Sequence, residues 1–146
     1  MHESISKRGL FMNKSFSRVL IKDEEGNILV VQDRENVWNF PGGKKEVYET
    51  ILECAKREVS EEIGIKVNDL NEIHKGKYVF SGVEWTGHFF LAHSACGVPT
   101  LNERDKIKGL RFIKENEQVD FPKELLESVK SIFDYLHYKS ESTYWY

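Results

Sequence analysis

The chain has 146 residues, of which 40% are hydrophobic and 31% charged, and this length is typical of one domain with an ordinary buried core. No apolar run approaches the roughly 20 residues of a membrane helix, and a formal net charge of −3 gives no general attraction for a nucleic acid polymer. Two cysteines fit a reducing compartment better than a disulfide framework, so we expect a soluble, cytoplasmic protein without a membrane partner.

The first part of the chain predicts two strands joined by a turn. Residues 1–14 are expected to be irregular, and residues 15–138 are predicted to form a single domain. Branched apolar residues predict strands over 17–22 and 28–33, and Gly26 and Asn27 indicate a turn between them. We interpret this pair as a hairpin. Residues 34–41 are expected to be a loop that leads to Gly42 and Gly43.

A helix is clearly marked in the centre of the chain. Thr50 is followed three residues later by a glutamate, which predicts a capping box with Thr50 as the N-cap. Gly64 is predicted to end the helix in the left-handed conformation. Leu52, Ala55 and Val59 recur at helical spacing and predict the face that packs on the core.

Three acids in this helix lie three and four residues apart. That spacing puts Glu58, Glu61 and Glu62 on one face, where their ionised carboxylates repel one another. A divalent cation with oxygen ligands is the usual physical reason for such a cluster. A solvated acidic face is the alternative that these three residues alone leave open.

The second half of the chain predicts further strands and a last helix. Strands are predicted over 72–80, 84–93 and 110–113, with a loop over 97–108. Phe121 and Pro122 open the predicted helix. Its expected buried face consists of Leu125, Leu126, Val129, Ile132, Phe133 and Leu136. The tail 139–146 ends in aromatic residues, which is compatible with packing on the body, with a homodimer contact or with disorder.

The segment 43–65 resembles the complete signature of the Nudix hydrolases. The matching positions are Gly43, Glu49, Arg57, Glu58, Glu61, Glu62 and Gly64, with aliphatic residues at Val59 and Ile65. A preceding Trp-x-x-Pro-Gly-Gly entry agrees with the same family. The resemblance implies an α/β fold, namely an α/β/α sandwich with a mixed sheet and the signature helix packed on it. The short chain resembles the MutT-like branch, which converts nucleoside triphosphates to monophosphate and pyrophosphate.

The resemblance also implies a metal-dependent reaction. Hydrolysis of a nucleoside diphosphate linkage places charge on both products, and Mg²⁺ or Mn²⁺ neutralises that charge and orients water. Glu58, Glu61 and Glu62 are the implied metal ligands, with help from the main-chain carbonyl of Gly42.

The same resemblance assigns roles around the metal. Arg57 is expected to orient the carboxylates, with Glu49 as its partner. Glu61 is the first candidate for activating water, although a later loop offers Glu103 and Asp105 as alternatives. Together with Glu58 and Glu62, Arg57 and Glu61 complete the predicted catalytic set.

The choice of nucleotide depends on residues outside the signature. The candidate substrate contacts are Arg34, Trp38, Asn39, Lys44 and Glu103. The aromatic candidates for stacking on a base are Trp38, Phe40, Tyr78, Phe80 and Trp85, and a core role is equally open for each. A nucleoside triphosphate, including an oxidised one, is the leading prediction. The alternatives are a nucleotide sugar, ADP-ribose, a dinucleoside polyphosphate, or a nucleotide sensor that does not hydrolyse its ligand.

Overall fold

A computed structural model of the protein describes residues 14–33, 35–115, 117–138 and 142–146. The predicted irregular segment 1–14 therefore lies outside the described residues, except for Lys14. Within the described ranges, no helix combines the length and the apolar character needed to cross a membrane.

The described residues form eight strands and two α-helices. The strands are β1 (Ser15–Leu20), β2 (Ile28–Asp33), β3 (Trp38–Asn39), β4 (Gly42–Lys44), β5 (Lys66–Phe80), β6 (Val83–Cys96), β7 (Ile107–Ile113) and β8 (Tyr144–Trp145). The helices are α1 (Ile51–Ile63) and α2 (Leu126–His137), and a 3-10 turn at Lys123–Leu125 precedes α2. The predicted loop 34–41 thus contains the short strand β3.

The strands form two sheets. The first sheet has the strand order β4-β1-β6-β5, in which β1 and β6 are parallel, and β8 also pairs with β6. The second sheet is antiparallel and has the strand order β3-β2-β7. The predicted β1–β2 hairpin is wrong beyond one isolated bridge, between Lys22 and Ile28. A strand has only two edges, and β4 and β6 occupy those of β1 while β3 and β7 occupy those of β2. The turn between the strands is nevertheless present, since the Asp23 carboxylate accepts from the Asn27 N–H at 2.8 Å.

Alternating residues of the central strands face two separate apolar layers. On one side Val19, Ile21 and Leu29 pack with Ala55, Val59 and Ile63 of α1. On the other side Leu20, Ile28 and Val30 pack with Val129, Ile132 and Leu136 of α2. The predicted α/β/α sandwich is therefore confirmed, and residues 28–31 of β2 are buried on both of its faces.

Two leucines predicted to be buried are exposed instead. Leu52 is 44% exposed and Leu126 is 52% exposed. The buried row of each helix follows i,i+4 spacing, so the row through Ala55 continues back to position 51 and the row through Val129 to position 125. Both exposed leucines lie one position away from those rows.

The helix boundaries and the tail are well defined. Thr50 and Glu53 form the predicted capping box, and Gly64 ends α1 in the left-handed conformation at φ 72°. In the tail, the Thr143 hydroxyl donates to the Ala92 carbonyl at 2.7 Å, and the Trp145 indole donates to the Lys22 carbonyl at 2.7 Å. The described tail residues therefore pack on the body of the same chain.

Candidate active site

The acids of α1 lie against the glycine pair of β4. The Gly42 N–H donates to the Glu62 carboxylate at 3.2 Å. A Cβ atom on Gly43 would overlap the carboxyl group of Glu58. Gly43 therefore lets the backbone approach the Glu58 carboxylate more closely than any other residue would allow, whereas a Cβ atom on Gly42 would meet the Ser17 carbonyl and not Glu62. Glu61 lies further out, with its side chain 51% exposed.

Burial makes the two inner acids electrostatically unfavourable as anions. Burial raises the pKa of Glu62 to about 7, and the nearby Glu58 and Glu103 charges act in the same direction. Burial also raises the pKa of Glu58 above its ordinary range, and Glu61 and Glu103 add to that effect. Arg18 opposes both shifts. A bound cation would offset this desolvated negative charge, so the site fits the predicted metal by its charge and by its oxygen donors.

The side chains are nevertheless held apart in this arrangement. Among the described residues, no three acidic, histidine or cysteine side chains converge closely enough to hold a metal ion. The reason lies in their present partners, because Arg57 holds Glu61 at 3.0 Å and the Gly42 N–H holds Glu62. Rotation of the carboxylates away from these donors would be needed for all three to reach one cation.

Arg57 is the centre of the polar network. Its Nε and Nη2 donate to the two carboxylate oxygens of Glu49, each at 2.8 Å, which is the partner expected from the sequence. Nη2 also donates to the Lys44 carbonyl at 3.1 Å, and Nη1 lies 3.4 Å from Glu58. The paired guanidinium holds the pKa of Glu49 at about 2. This network ties the middle of α1 to the end of β4 and to the loop that follows it.

Of the two loop acids, the structure brings Glu103 to the cluster. The loop after β6 is tied to the end of α1, since the Thr100 and Asn102 N–H groups donate to the Ile63 and Glu62 carbonyls at 2.9 and 3.1 Å. The Glu103 side chain is 25% exposed, and its charge acts on both Glu58 and Glu62. Asp105 is exposed. Glu103 is therefore the better placed of the two alternatives to Glu61.

A cavity of about 450 Å³ opens beside Gly43. Its lining consists of Phe16, Arg18, Asp33, Asn39, Gly43, Lys44, Phe80, Ser81, Val83, Trp85, Pro122 and Leu125. The predicted substrate contacts Asn39 and Lys44 are among these residues. Trp38 lies elsewhere, with its ring covered by the Arg111 guanidinium at 5.2 Å from the ring centroid. Arg34 lies outside the described residues.

The aromatic candidates divide between the core and the cavity. Phe40 and Tyr78 are buried in the core layer under α2, whereas Phe80 and Trp85 line the cavity. Two ammonium groups lie over the Trp85 ring, with Lys14 Nζ 5.1 Å and Lys44 Nζ 5.4 Å from its centroid. The cavity thus has aromatic walls and cations at one side, next to the acid cluster.

Sequence reasoning missed Arg18. A single arginine in a strand is usually assigned to a solvent-facing position, because arginine is rarely buried. Here its guanidinium lies between the acid cluster and the cavity. The only sequence signal was its position two residues from the apolar Phe16 and Leu20 on the same face of the strand.

The Arg57–Glu49 pair gives a stability prediction. Arg57→Ala should destabilise the protein by about 1–3 kcal/mol at pH 7, because it leaves a nearly buried carboxylate without its charged donors. The pKa of Glu49 is depressed in the folded protein, so the stabilisation is complete above its unfolded value near 4.5 and is lost as the pH falls towards 2. Urea unfolding of both proteins from pH 7 down to pH 3 should show the difference shrinking below pH 4.5.

Arg111→Ala is the matched control for this experiment. It breaks a partly exposed pair with Glu117, at 2.7 Å, and the contact with the Trp38 ring, and it should still cost less than Arg57→Ala at pH 7. An equal loss of stability in the two variants would contradict the role given to the Arg57 network.

Comparison with known proteins places the site in a family context. A family model described as "NUDIX domain" matches residues 14–135. A Buchnera aphidicola protein named 8-oxo-dGTP diphosphatase is 36% identical over 66 residues, which cover 45% of this chain and 53% of that protein. A Danio rerio protein named oxidized purine nucleoside triphosphate hydrolase is 31% identical over 100 residues, or 64% of each chain. The matched regions thus span about half to two thirds of these relatives.

Solved structures agree on the architecture. The crystal structure of a MutT NUDIX hydrolase from Burkholderia pseudomallei superposes with a TM-score of 0.70. The two sequences are 23% identical, and the match covers 84% of this chain and 96% of that one. At this identity the likeness shows the shared fold.

Proposed function

This chain belongs to the NUDIX family, and we propose that it is a Mg²⁺- or Mn²⁺-dependent pyrophosphohydrolase that converts an oxidised purine nucleoside triphosphate to the monophosphate and pyrophosphate. The observation that carries the proposal is the desolvated cluster of Glu58 and Glu62 next to an aromatic cavity of about 450 Å³. A cavity of that volume is large enough for a base and its sugar. The adjoining acids supply hard oxygen ligands for the cation that a polyphosphate requires.

The position of each residue in the site indicates its proposed role in metal binding, water activation or phosphate contact. Glu58, Glu62 and the Gly42 carbonyl would hold the cation, which when bound neutralises phosphate charge and lowers the pKa of water. Glu61 is the most exposed of the three acids and lies 3.0 Å from Arg57, next to the cluster, where its carboxylate can accept a proton from the attacking water. Lys44 at the cavity edge would contact the phosphate chain.

The proposed substrate class rests on two kinds of support. The Buchnera aphidicola and Danio rerio relatives carry the names of enzymes that act on oxidised purine nucleotides. The cavity walls formed by Phe80 and Trp85 suit the flat face of a base. We further propose that the protein acts on a free nucleotide in the cytoplasm, as the composition suggests.

A substrate panel tests this function. Purified protein would be incubated with Mg²⁺ or Mn²⁺ and canonical or oxidised nucleoside triphosphates, nucleotide sugars, ADP-ribose and dinucleoside polyphosphates, with products separated by chromatography. We expect the highest kcat/KM for an oxidised purine triphosphate, with monophosphate and pyrophosphate as products. EDTA should abolish turnover, and added Mg²⁺ should restore it.

Two results would overturn the proposal. Release of orthophosphate and a nucleoside diphosphate would show that a different bond is cut. Preference for ADP-ribose or a nucleotide sugar over every triphosphate would move the chain to another branch of the family.

A further inference from the structure

The side chain of Arg18 occupies an unusual place for a cation. On β1 it lies on the same face as Phe16 and Leu20, which belong to the apolar layer under α2. Its guanidinium carbon is 5.7 Å from the centroid of the Phe16 ring. It also lines the cavity beside Gly43. A charged group therefore packs against an aromatic ring in the wall of the proposed nucleotide site.

The guanidinium has more donors than the protein uses. Nη1 donates to the Phe40 carbonyl at 3.0 Å. Nε is buried without an acceptor, and Nη2 has no hydrogen-bond acceptor among the described residues. Arginine carries five N–H donors and no acceptor, and buried donors in folded proteins are nearly always paired. Arg18 is thus set to donate to something that the described protein does not provide.

The surrounding charges limit what that acceptor can be. Glu62, Glu58 and Asp33 all act on the guanidinium and favour its charged form, whereas burial lowers its pKa. In the metal-free protein a phosphate at Arg18 would be repelled by these three carboxylates, because their combined formal charge exceeds that of one arginine. A neutral oxygen meets no such repulsion. The free N–H groups therefore suit a carbonyl oxygen better than a phosphate.

A second donor lines the same cavity. The Asn39 side-chain oxygen accepts from the Phe40 N–H at 2.9 Å, which leaves the Asn39 amide NH₂ as a donor. One oxygen of the nearby Asp33 carboxylate, Oδ1, already accepts from the Glu35 and Val37 N–H groups at 2.8 and 3.1 Å. A ligand edge that fits between Arg18 and Asn39 must therefore present acceptors.

We propose, resting on the triphosphate hydrolysis proposed above, that Arg18 is a specificity-determining residue that donates to the keto oxygen of the base and so selects 6-oxopurine over 6-aminopurine nucleotides. A 6-oxopurine presents an oxygen acceptor where a 6-aminopurine presents an NH₂ donor. With the aminopurine, donor would face donor, and the Arg18 N–H groups would remain unpaired. Sites built to pair a buried polar group reject ligands that leave it unpaired.

Steady-state kinetics with dGTP and dATP test the proposal. The wild-type protein should prefer dGTP in kcat/KM. Arg18→Met should lower kcat/KM for dGTP about 10- to 100-fold, mainly through KM, and change that for dATP less than about threefold. Arg18→Lys should retain part of the preference because it keeps a donor and a charge. Lys130→Met, an exposed change on α2, is the control and should leave both values unchanged.

A binding measurement separates this inference from the proposed reaction. Calorimetry with dGMP and dAMP, without metal, should show weaker dGMP binding by Arg18→Met and unchanged dAMP binding. Equal losses for both bases, in kinetics or in binding, would overturn the inference, since Arg18 would then act on the phosphates or on Glu62. If neither triphosphate is hydrolysed by the wild type, the proposed function fails, and the monophosphate binding alone decides the role of Arg18. Circular dichroism would confirm that each variant is folded.

Discussion

Glu61→Gln and Glu62→Gln are each expected to lower kcat by about a thousandfold or more while the protein remains folded. Glutamine keeps the shape of the side chain but removes the charge that a cation needs and the basicity that a water molecule needs. Glu62→Gln removes an inner metal ligand, which accepts from the Gly42 N–H. Glu61→Gln removes the most exposed acid of the three, which lies 3.0 Å from Arg57. Pyrophosphate release measured over time, with circular dichroism as a folding check, gives both quantities.

The two variants should differ in stability when metal is absent. Burial raises the folded pKa of Glu62 to about 7, so its ionisation weakens the fold as the pH rises from its unfolded value near 4.5 through 7. Glu62→Gln removes that cost. In EDTA at pH 8 it should be more stable than the wild type by roughly 1–3 kcal/mol, and the difference should vanish below pH 4.5. Glu61→Gln, at a side chain that is 51% exposed, is the comparison variant for this measurement.

Metal addition provides the converse measurement. Mg²⁺ should raise the thermal midpoint of the wild type, because a ligand bound only by the folded state stabilises it. The rise should be much smaller for Glu62→Gln. Glu127→Gln, an exposed acid on α2, should behave as wild type in every assay. Turnover within tenfold of wild type in both active-site variants would contradict the assigned roles.

Local sequence signals predicted the local features of this site. The Thr50 cap, the Gly64 terminus and the clustering of three acids on one helix face depend on residues fewer than five positions apart, where spacing decides geometry. The hairpin prediction failed because strand pairing here is settled by distant segments: β1 pairs with β6, about seventy residues later. Nothing near β1 in the sequence could show that its two edges were already occupied.

The same distinction explains Arg18. Its burial and its unpaired donors depend on Phe40, Glu62 and the cavity wall at Phe80, which only the folded chain brings together. The expected Arg57–Glu49 contact could be named beforehand only through the family resemblance. The present separation of the carboxylates, in contrast, follows from competing donors that a motif does not show.

The adjacent glycines of β4 should respond very differently to alanine. In Gly42→Ala the new methyl group would overlap the Ser17 carbonyl and the Arg18 Cα, which are backbone atoms of a paired central strand. Gly42 also has φ 152°, which alanine rarely adopts. We expect a loss of more than about 3 kcal/mol of stability, or failure to fold. Gly82→Ala, at φ 77° with open space around it, is the control and should cost only about 1–2 kcal/mol.

In Gly43→Ala the obstacle is a side chain, so the fold should survive and the chemistry should not. The methyl group would displace the carboxyl group of Glu58, which can rotate away where backbone cannot. We expect the free energy of unfolding in urea to stay within about 1 kcal/mol of the wild type. We expect kcat to fall about a hundredfold, because one metal ligand is misplaced. A Glu58→Ala background removes the three atoms that lie nearest to the new methyl group, so Gly43→Ala should cause no further loss of activity there. Additive losses in the double variant would mean that Gly43 acts on the site by a route other than Glu58.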